Sequence, residues 1–205
     1  MRIRFLLPLL FATLLTSCFR DRDHVIRVSI PEQRMALYTK NVEVARYDIS
    51  TSKFGLGDVP GSNCTPLGKF EIKEKIGAGE PAGMKFKNRQ PTGEIVPVNA
   101  PGRDPIVTRI LWLRGLEDCN RCAFERTIYI HGTPEEWRIG TPSSYGCVRM
   151  RSRDVIELFD TVGRGARVFI ETSPLPTPQL SSGNRLAQQE GTNAIPHAIP
   201  TNATY

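Results

Sequence analysis

The chain has 205 residues, 40% of them hydrophobic, which is enough for one domain with a buried core and short additional segments. Its formal net charge of +6 suits a polyanionic partner as well as simple solubility. The sequence has no basic run interleaved with aromatic residues and no zinc-finger spacing, which argues against nucleic acid as a partner, and no stretch of 18 or more apolar residues predicts a membrane-spanning helix.

The N-terminus has the pattern of an export signal. Two arginines precede an apolar run over residues 5–15, which is too short for a stable membrane span. The run ends in Leu-Thr-Ser-Cys, which resembles a bacterial lipobox. We therefore predict that residues 1–17 are a lipoprotein signal peptide and that Cys18 is acylated. The alternative is an ordinary signal peptide cut elsewhere.

Acylation of Cys18 would anchor the mature protein to a membrane, because each buried methylene contributes about 0.8 kcal/mol. Residues 18–24 are then a short charged tether. By resemblance to other lipoproteins, Phe19 gives no sign of inner-membrane retention, which Asp usually signals at that position. We expect a lipoprotein of the cell envelope that faces the periplasm, in the outer membrane if the envelope has two membranes.

Strand patterns dominate the chain from residue 25 onward. Alternating or β-branched runs predict strands over residues 25–30, 35–38, 42–50, 69–76, 106–113, 127–130 and 166–170. The first three pair as a meander. One helix is predicted after Ser152, its N-cap, because Val155, Leu158, Phe159 and Val162 share one face and Gly163 follows its end.

Two segments interrupt this pattern. Residues 77–104 are rich in Gly and Pro, and we favour a flap over the active site; a solvated surface insertion is the alternative. Residues 173–205 are rich in Pro, Ser, Gln and Asn and form no apolar face, which predicts a disordered tail.

Three cysteines accompany Cys18 and Cys147. In an exported protein, Cys119 and Cys122 in a CxxC pair indicate a local disulfide rather than a redox centre. No second pair of ligands suggests zinc. A bond from Cys64 to either partner is the alternative, and the sequence does not choose between them.

The chemistry is expected at His131 and Cys147. The run over 127–130 predicts a buried strand that ends at His131, and Cys147 follows Gly146, where the backbone can approach a ligand and aim N–H groups at one point. A thiol with a pKa of about 8.5 needs a base near neutral pH, and an imidazole can take its proton. A small buried cysteine and a hydrogen-bonded core histidine are the structural alternatives.

Three motifs resemble those of the L,D-transpeptidase catalytic domain family. They are His-Gly-Thr at 131–133, Ser-Tyr-Gly-Cys-Val-Arg at 144–149 and Thr-Pro-Leu-Gly-Lys-Phe at 65–70. Together they cover most of residues 25–171. Tyr145 stands where the family usually has a second His. The family's general base is the upstream His, which matches His131, so the catalytic pair is retained.

The resemblance implies a mostly β, L,D-transpeptidase-like sandwich over residues 25–172, with one short helix after the Cys loop. It implies a cysteine L,D-transpeptidase that acts on peptidoglycan stem peptides through a thioester and uses no metal or cofactor. The Gly132 carbonyl would orient His131, and the N–H groups of Gly146 and Cys147 would form the oxyanion hole. Ser144, Tyr145 and Arg149 would position substrate; a structural ion pair is the alternative for Arg149.

Three other functions fit the same residues. Hydrolysis of the thioester by water would make the protein an L,D-carboxypeptidase. A catalytically weak peptidoglycan-binding module is favoured only by Tyr145, and retention of His131 and Cys147 opposes it. A cysteine hydrolase of another amide is opposed by the motif at 65–70.

Overall fold

The structure is a computed structural model that describes residues 20–102 and 104–177. The predicted mostly β fold is confirmed. The strands and the helix, in chain order, are β1 His24–Ser29, β2 Arg34–Thr39, β3 Val42–Asp48, β4 Gly68–Ile76, β5 Met84–Lys87, β6 Gln90–Ile95, β7 Val107–Gly115, β8 Tyr129–Gly132, β9 Val148–Met150, α1 Ser152–Thr161 and β10 Arg167–Glu171.

The strands form one sheet that curls back on itself. Its order is β3-β2-β1-β10-β4-β7-β5-β6, and β8 leaves this path to pair with β7 and β9. The predicted meander is present as β1, β2 and β3, which pair antiparallel. Just past β3, Ser50 forms a bridge to Arg149 in β9. The β3 end of the path therefore meets the β8–β9 branch, and two halves of the sheet face each other as in a sandwich.

The main core lies between these halves. Alternate residues of β1 and β10 on one side, such as Ile26 and Val168, share it with Ile130 and Val148 of β8 and β9 on the other. Because successive side chains of a strand point to opposite faces, the residues between them must point outward. The outer face of β8 and β9 is where the predicted catalytic residues lie.

The helix α1 closes one side of the core. Val155, Leu158 and Phe159 are buried in it, as the spacing predicted. The predicted N-cap is wrong: Ser152 is the first helical residue, and its N–H donates to Glu136 Oε1 at 2.8 Å. A carboxylate from a distant loop thus occupies the position of a local cap.

The described chain is ordered beyond the predicted domain limits. Asp21, in the predicted tether, donates its N–H to Arg164 O at 2.7 Å and accepts the Gly163 N–H at 2.6 Å. At the other end, Leu175 is buried and donates its N–H to Glu32 Oε2 at 2.7 Å. The signal peptide, Cys18 and residues 178–205 of the predicted tail lie outside the described residues.

The segment over 77–104 contains a hairpin that the sequence did not predict. The inner strand β5 pairs with β7 and buries Met84 and Phe86, whereas every residue of the outer strand β6 is exposed. Within the described ranges, no helix is both long and apolar enough to cross a membrane.

Candidate active site

The strand register brings His131 and Cys147 to one face. β8 runs parallel to β9 with His131 opposite Arg149, which places Tyr129 opposite Cys147. The Tyr129 N–H donates to Cys147 Sγ at 3.4 Å. Two residues of a strand span about 6.6 Å, so the thiol lies roughly that far along β8 from His131. Both side chains lie on the face opposite the main core.

His131 is held by a hydrogen bond to the backbone in a buried position. Its side chain is buried, and Nδ1 lies 2.8 Å from Gly132 O. A carbonyl only accepts hydrogen bonds, so Nδ1 carries the proton and Nε2 keeps its lone pair in the neutral ring. Burial lowers the pKa of His131 below its ordinary value of 6.5. This is the contact that the resemblance implied for Gly132; its part in catalysis stays a prediction.

Gly132 has a second constraint besides this hydrogen bond. A Cβ at this position would lie 2.7 Å from Val107 O and 3.0 Å from the Thr108 Cβ. β8 approaches an irregular part of β7 there, where Thr108 has a φ of +73°. Only a residue without a side chain lets the two strands come this close.

Cys147 rests as a protonated thiol. Its Sγ lies 3.5 Å from Thr127 O, to which the S–H donates. Burial raises the pKa of Cys147 to about 11. No hydrogen bond among the described residues joins Sγ to His131.

The loop before Cys147 is tied together by Ser144. Its Oγ donates to Cys147 O at 2.6 Å and accepts the Gly146 N–H at 3.2 Å. Gly146 has a φ of +117°, which favours glycine, and a Cβ there would lie 3.2 Å from Cys64 O. Of the two N–H groups predicted for the oxyanion hole, that of Gly146 already donates its hydrogen bond to Ser144 Oγ. The Cys147 N–H makes no hydrogen bond within the described residues.

Thr65 has a role that the sequence did not reveal. The residue is fully buried, accepts the Ser52 N–H on Oγ1 at 3.0 Å and donates from Oγ1 to Gly146 O at 3.0 Å. The motif at 65–70 marked the position, but its contact with the Cys loop appears only in the folded chain. Thr65 holds that loop in place.

Arg149 is occupied by a buried ion pair. Its side chain is 2% exposed, and Nη1 binds Asp104 Oδ2 and, at 3.0 Å, Glu135 Oε2. Nη2 binds the hydroxyls of Ser50 and Ser143. The sequence left two roles open for Arg149, and the structure shows the structural ion pair. No sequence signal singled out Asp104 or Glu135, which lie in irregular segments.

Tyr145 is exposed and lines the same cavity as Cys147. Its side chain is 63% exposed, and its hydroxyl accepts a hydrogen bond from Lys53 Nζ at 3.2 Å. The Lys53 ammonium also lies 4.5 Å from the centre of the Tyr145 ring, and the Phe54 ring lies 5.3 Å away. These contacts fix the ring at the mouth of the site.

Two cavities meet at Tyr145. The nucleophile cavity, about 270 Å³, is lined by Cys147, Tyr145, Arg126, Asn63 and their neighbours. The charged cavity, about 520 Å³, is lined by Lys53, Asp104, Glu135, Arg138, Arg149 and again Tyr145. A ligand at Cys147 can therefore reach the charged cavity past a single side chain.

The remaining cysteines are not paired in the described structure. Cys64, Cys119, Cys122 and Cys147 are all free thiols. The preferred local disulfide is thus not formed: Cys119 lies in a short 3₁₀ turn, and the Cys122 N–H is held at 2.6 Å by Asp58 Oδ2. In the part of the chain that the structure describes, no group of three or more His, Cys, Asp or Glu residues is placed to hold a metal.

A comparison with protein families decides the relationship. The family model YkuD, described as the L,D-transpeptidase catalytic domain, matches residues 23–170. The chain belongs to this family. The resemblance drawn from the motifs is confirmed, and His131 and Cys147 both lie within the matched segment.

Curated relatives are L,D-transpeptidases by name. The probable L,D-transpeptidase YcfS of Escherichia coli strain K12 is 24% identical over 168 residues, which are 80% of this chain and 48% of that protein. The probable L,D-transpeptidase YbiS of the same strain is 34% identical over 82 residues, 35% of this chain and 27% of that protein. The chain thus spans about half the length of the first relative, and its match to the second covers a smaller share.

Solved structures of similar proteins carry the same family name. An L,D-transpeptidase from Mycobacterium smegmatis is 14% identical, with a TM-score of 0.47, over 73% of this chain and 58% of that one. L,D-transpeptidase 3 from Mycobacterium tuberculosis, in complex with a faropenem-derived adduct, is 16% identical, with a TM-score of 0.48, over 73% and 60%.

Proposed function

We propose that this protein is a cysteine L,D-transpeptidase that acts on the stem peptides of peptidoglycan. The observation that carries the proposal is the arrangement of the catalytic pair. His131 donates from Nδ1 to Gly132 O, which leaves Nε2 as a base on the same sheet face as the Cys147 thiol. Membership of the L,D-transpeptidase catalytic domain family supports the choice of substrate.

The first half of the reaction is acylation of Cys147. His131 Nε2 takes the thiol proton as sulfur attacks the carbonyl between the L-centre of the diamino acid and the following D-residue. The Cys147 N–H donates to the oxyanion. The C–N bond then breaks, and the D-residue leaves with the proton from His131. A thioester on Cys147 remains.

The second half transfers the acyl group. An amine of a second stem attacks the thioester, a C–N bond forms, and the C–S bond breaks. His131 carries the amine proton to the departing sulfur, which restores the thiol and yields a crosslink. Water in place of the amine would give hydrolysis, the L,D-carboxypeptidase alternative, through the same residues.

The place of action follows from the N-terminus. We keep the proposal that Cys18 is acylated and that the protein is a membrane-anchored lipoprotein facing the periplasm. The docking of Asp21 on the residues after α1 supports a short connection, since it leaves few residues between Cys18 and the folded domain.

Acylation is tested most directly by mass spectrometry with a carbapenem as the probe. We expect one covalent adduct on the wild-type protein, on the peptide that contains Cys147, and none on Cys147→Ala. Cys147 lies in a loop outside the main core, so the variant should fold. Cys122→Ala is the matched control and should keep the adduct. An adduct on Cys64, Cys119 or Cys122 instead would overturn the assignment.

The choice between transfer and hydrolysis needs a second measurement. Purified protein is incubated with tetrapeptide stems, and the products are separated as muropeptides. A transpeptidase gives crosslinked dimers, whereas a carboxypeptidase gives tripeptides and the free D-residue. Acylation without either product would leave a weak peptidoglycan-binding module as the function.

A further inference from the structure

The charged cavity contains one described cation, Lys53, that pairs with no described carboxylate. Asp104 and Glu135 both bind Arg149, and Glu135 also lies 3.4 Å from Arg138 Nε. Lys53 pairs with no carboxylate among the described residues; its neighbours are the Tyr145 hydroxyl and two aromatic rings. Of the described charged side chains that line this cavity, three are cations and two are anions.

The donors left open in this cavity are all cationic N–H groups. Lys53 Nζ has three N–H groups and one hydrogen-bond partner within the described structure. Arg149 Nε and Arg138 Nε are buried and make no hydrogen bond. Both of these Nε atoms are enclosed by protein, whereas Lys53 is exposed and lines the cavity. The Lys53 ammonium therefore matches an anion that can accept hydrogen bonds from it.

From this arrangement we infer that the charged cavity is a subsite for the C-terminal carboxylate of the acyl-donor stem, with Lys53 as its specificity-determining residue. The inference rests on the proposed function. In a tetrapeptide stem one D-residue follows the attacked carbonyl, and its carboxylate is the nearest charged group to the scissile bond. Because Tyr145 lines both cavities, the donor's end passes this ring on its way from Cys147 to Lys53.

The same charges disfavour the acceptor stem in this cavity. Its reacting group is an amine, which is protonated in solution, and Lys53 and Arg138 would repel it. The acceptor amine therefore takes the position of the leaving amine at the thioester, while the rest of its stem lies outside the charged cavity. Tyr145 serves the donor by holding the Lys53 ammonium with its hydroxyl and its ring.

The test compares two donors and four proteins. The donors are a stem tetrapeptide with a free C-terminal carboxylate and the same peptide as its C-terminal amide. The proteins are the wild type, Lys53→Met, Lys53→Arg and Lys40→Met. Lys40 is an exposed lysine in the turn between β2 and β3, at the opposite end of β3 from Ser50, and is the matched control. The rate of acyl-enzyme formation is measured by mass spectrometry in single-turnover conditions.

We expect the wild type and Lys40→Met to prefer the carboxylate donor by about tenfold, the effect of one hydrogen-bonded charge. In Lys53→Met this ratio should fall to near one, and Lys53→Arg should restore part of it. A merely structural role of Lys53 would slow both donors equally and would overturn the subsite.

The result with the wild type separates this inference from the function on which it rests. Equal acylation by both donors would overturn the subsite alone. Acylation by neither donor would overturn the proposed function and the subsite with it.

Discussion

Burial acts on His131 and Cys147 in opposite directions, because it disfavours the charged form of each. It lowers the pKa of His131 and raises that of Cys147 to about 11. Near neutral pH the pair therefore rests as imidazole and thiol rather than as an ion pair. The proton must move to His131 during the attack, which makes His131 a true general base in the proposed reaction.

This assignment predicts unequal effects of two substitutions. His131→Ala should slow acylation by roughly a hundredfold or more, the range typical of a general base. Tyr145→Phe should slow it by at most about tenfold, or about 1.4 kcal/mol, because the phenol contacts Lys53 and neither catalytic residue. Acylation rates with the carbapenem measure both effects. Equal damage by the two substitutions would refute a single base.

The pH dependence supplies an independent readout of the same prediction. Below its pKa, His131 is protonated and accepts no proton, so the wild-type rate should rise with pH through one inflection below 6.5. That inflection should be absent in His131→Ala. The rate of this variant should instead climb as the thiol itself ionises towards pH 11.

His131 and Cys147 could be singled out from the sequence because motifs of the family contain them, and their catalytic roles stay predictions. His131 follows a β-branched run, and Cys147 follows a glycine. The role of Asp104 was not predictable, because this carboxylate acts by pairing with Arg149, which lies far along the chain and meets it only after folding. The same holds for Thr65, whose motif was visible but whose contact with Gly146 was not.

Among the elements, the β5–β6 hairpin has the most direct relation to the site. Met84 and Phe86 of β5 pack with Ile110 and Tyr129 in a small cluster, and Cys147 lies against it. β5 thus belongs to the cluster against which Cys147 packs, whereas the exposed β6 fits the solvated alternative. A flap over the active site stays a prediction.

Phe86→Ala should make the Cys147 thiol more accessible while the protein still folds. Phe86 lies in the small cluster, so its loss should lower the unfolding free energy by less than Phe70→Ala in the main core, for which about 3–5 kcal/mol is expected. Thermal denaturation measures the change in unfolding free energy. The alkylation rate of Cys147, followed by peptide mapping, should rise in Phe86→Ala. An unchanged rate would mean that the hairpin does not shield the thiol.

The predictability of an element depended on its length and periodicity. β1, β4 and β10 have regular apolar alternation and were predicted. β5 has only four residues, and β6 contains Pro91 and Gly93 and buries nothing, so neither produced a signal. β8 begins at Tyr129, two residues later than predicted, because Thr127 and Ile128 donate to Phe124 O and Ala123 O in a turn. Local hydrogen bonds of this turn overrode the β-branched preference there.

At the scale of the whole molecule, the curled sheet places the main core and the candidate active site on different faces. The inner faces of both halves form the main core, while the catalytic pair and its two cavities lie outside it. The N-terminal segment docks at a third place, where Asp21 contacts the residues that follow α1. None of the contacts described at the catalytic pair comes from that segment. Anchoring and catalysis should therefore be separable.

Cys18→Ser tests this separation together with the proposed lipid anchor. Wild-type protein should partition into detergent with the membrane fraction, whereas Cys18→Ser should be released or remain unprocessed, because only a lipobox cysteine is acylated. Cys119→Ser, which removes an exposed thiol of the domain, is the control and should stay with the membrane. Once purified, Cys18→Ser should form the carbapenem adduct at the wild-type rate, since Asp21 keeps its docking contacts without the anchor. Unchanged membrane partitioning of Cys18→Ser would rule the anchor out, and a slowed adduct would show that the N-terminus does act on the site.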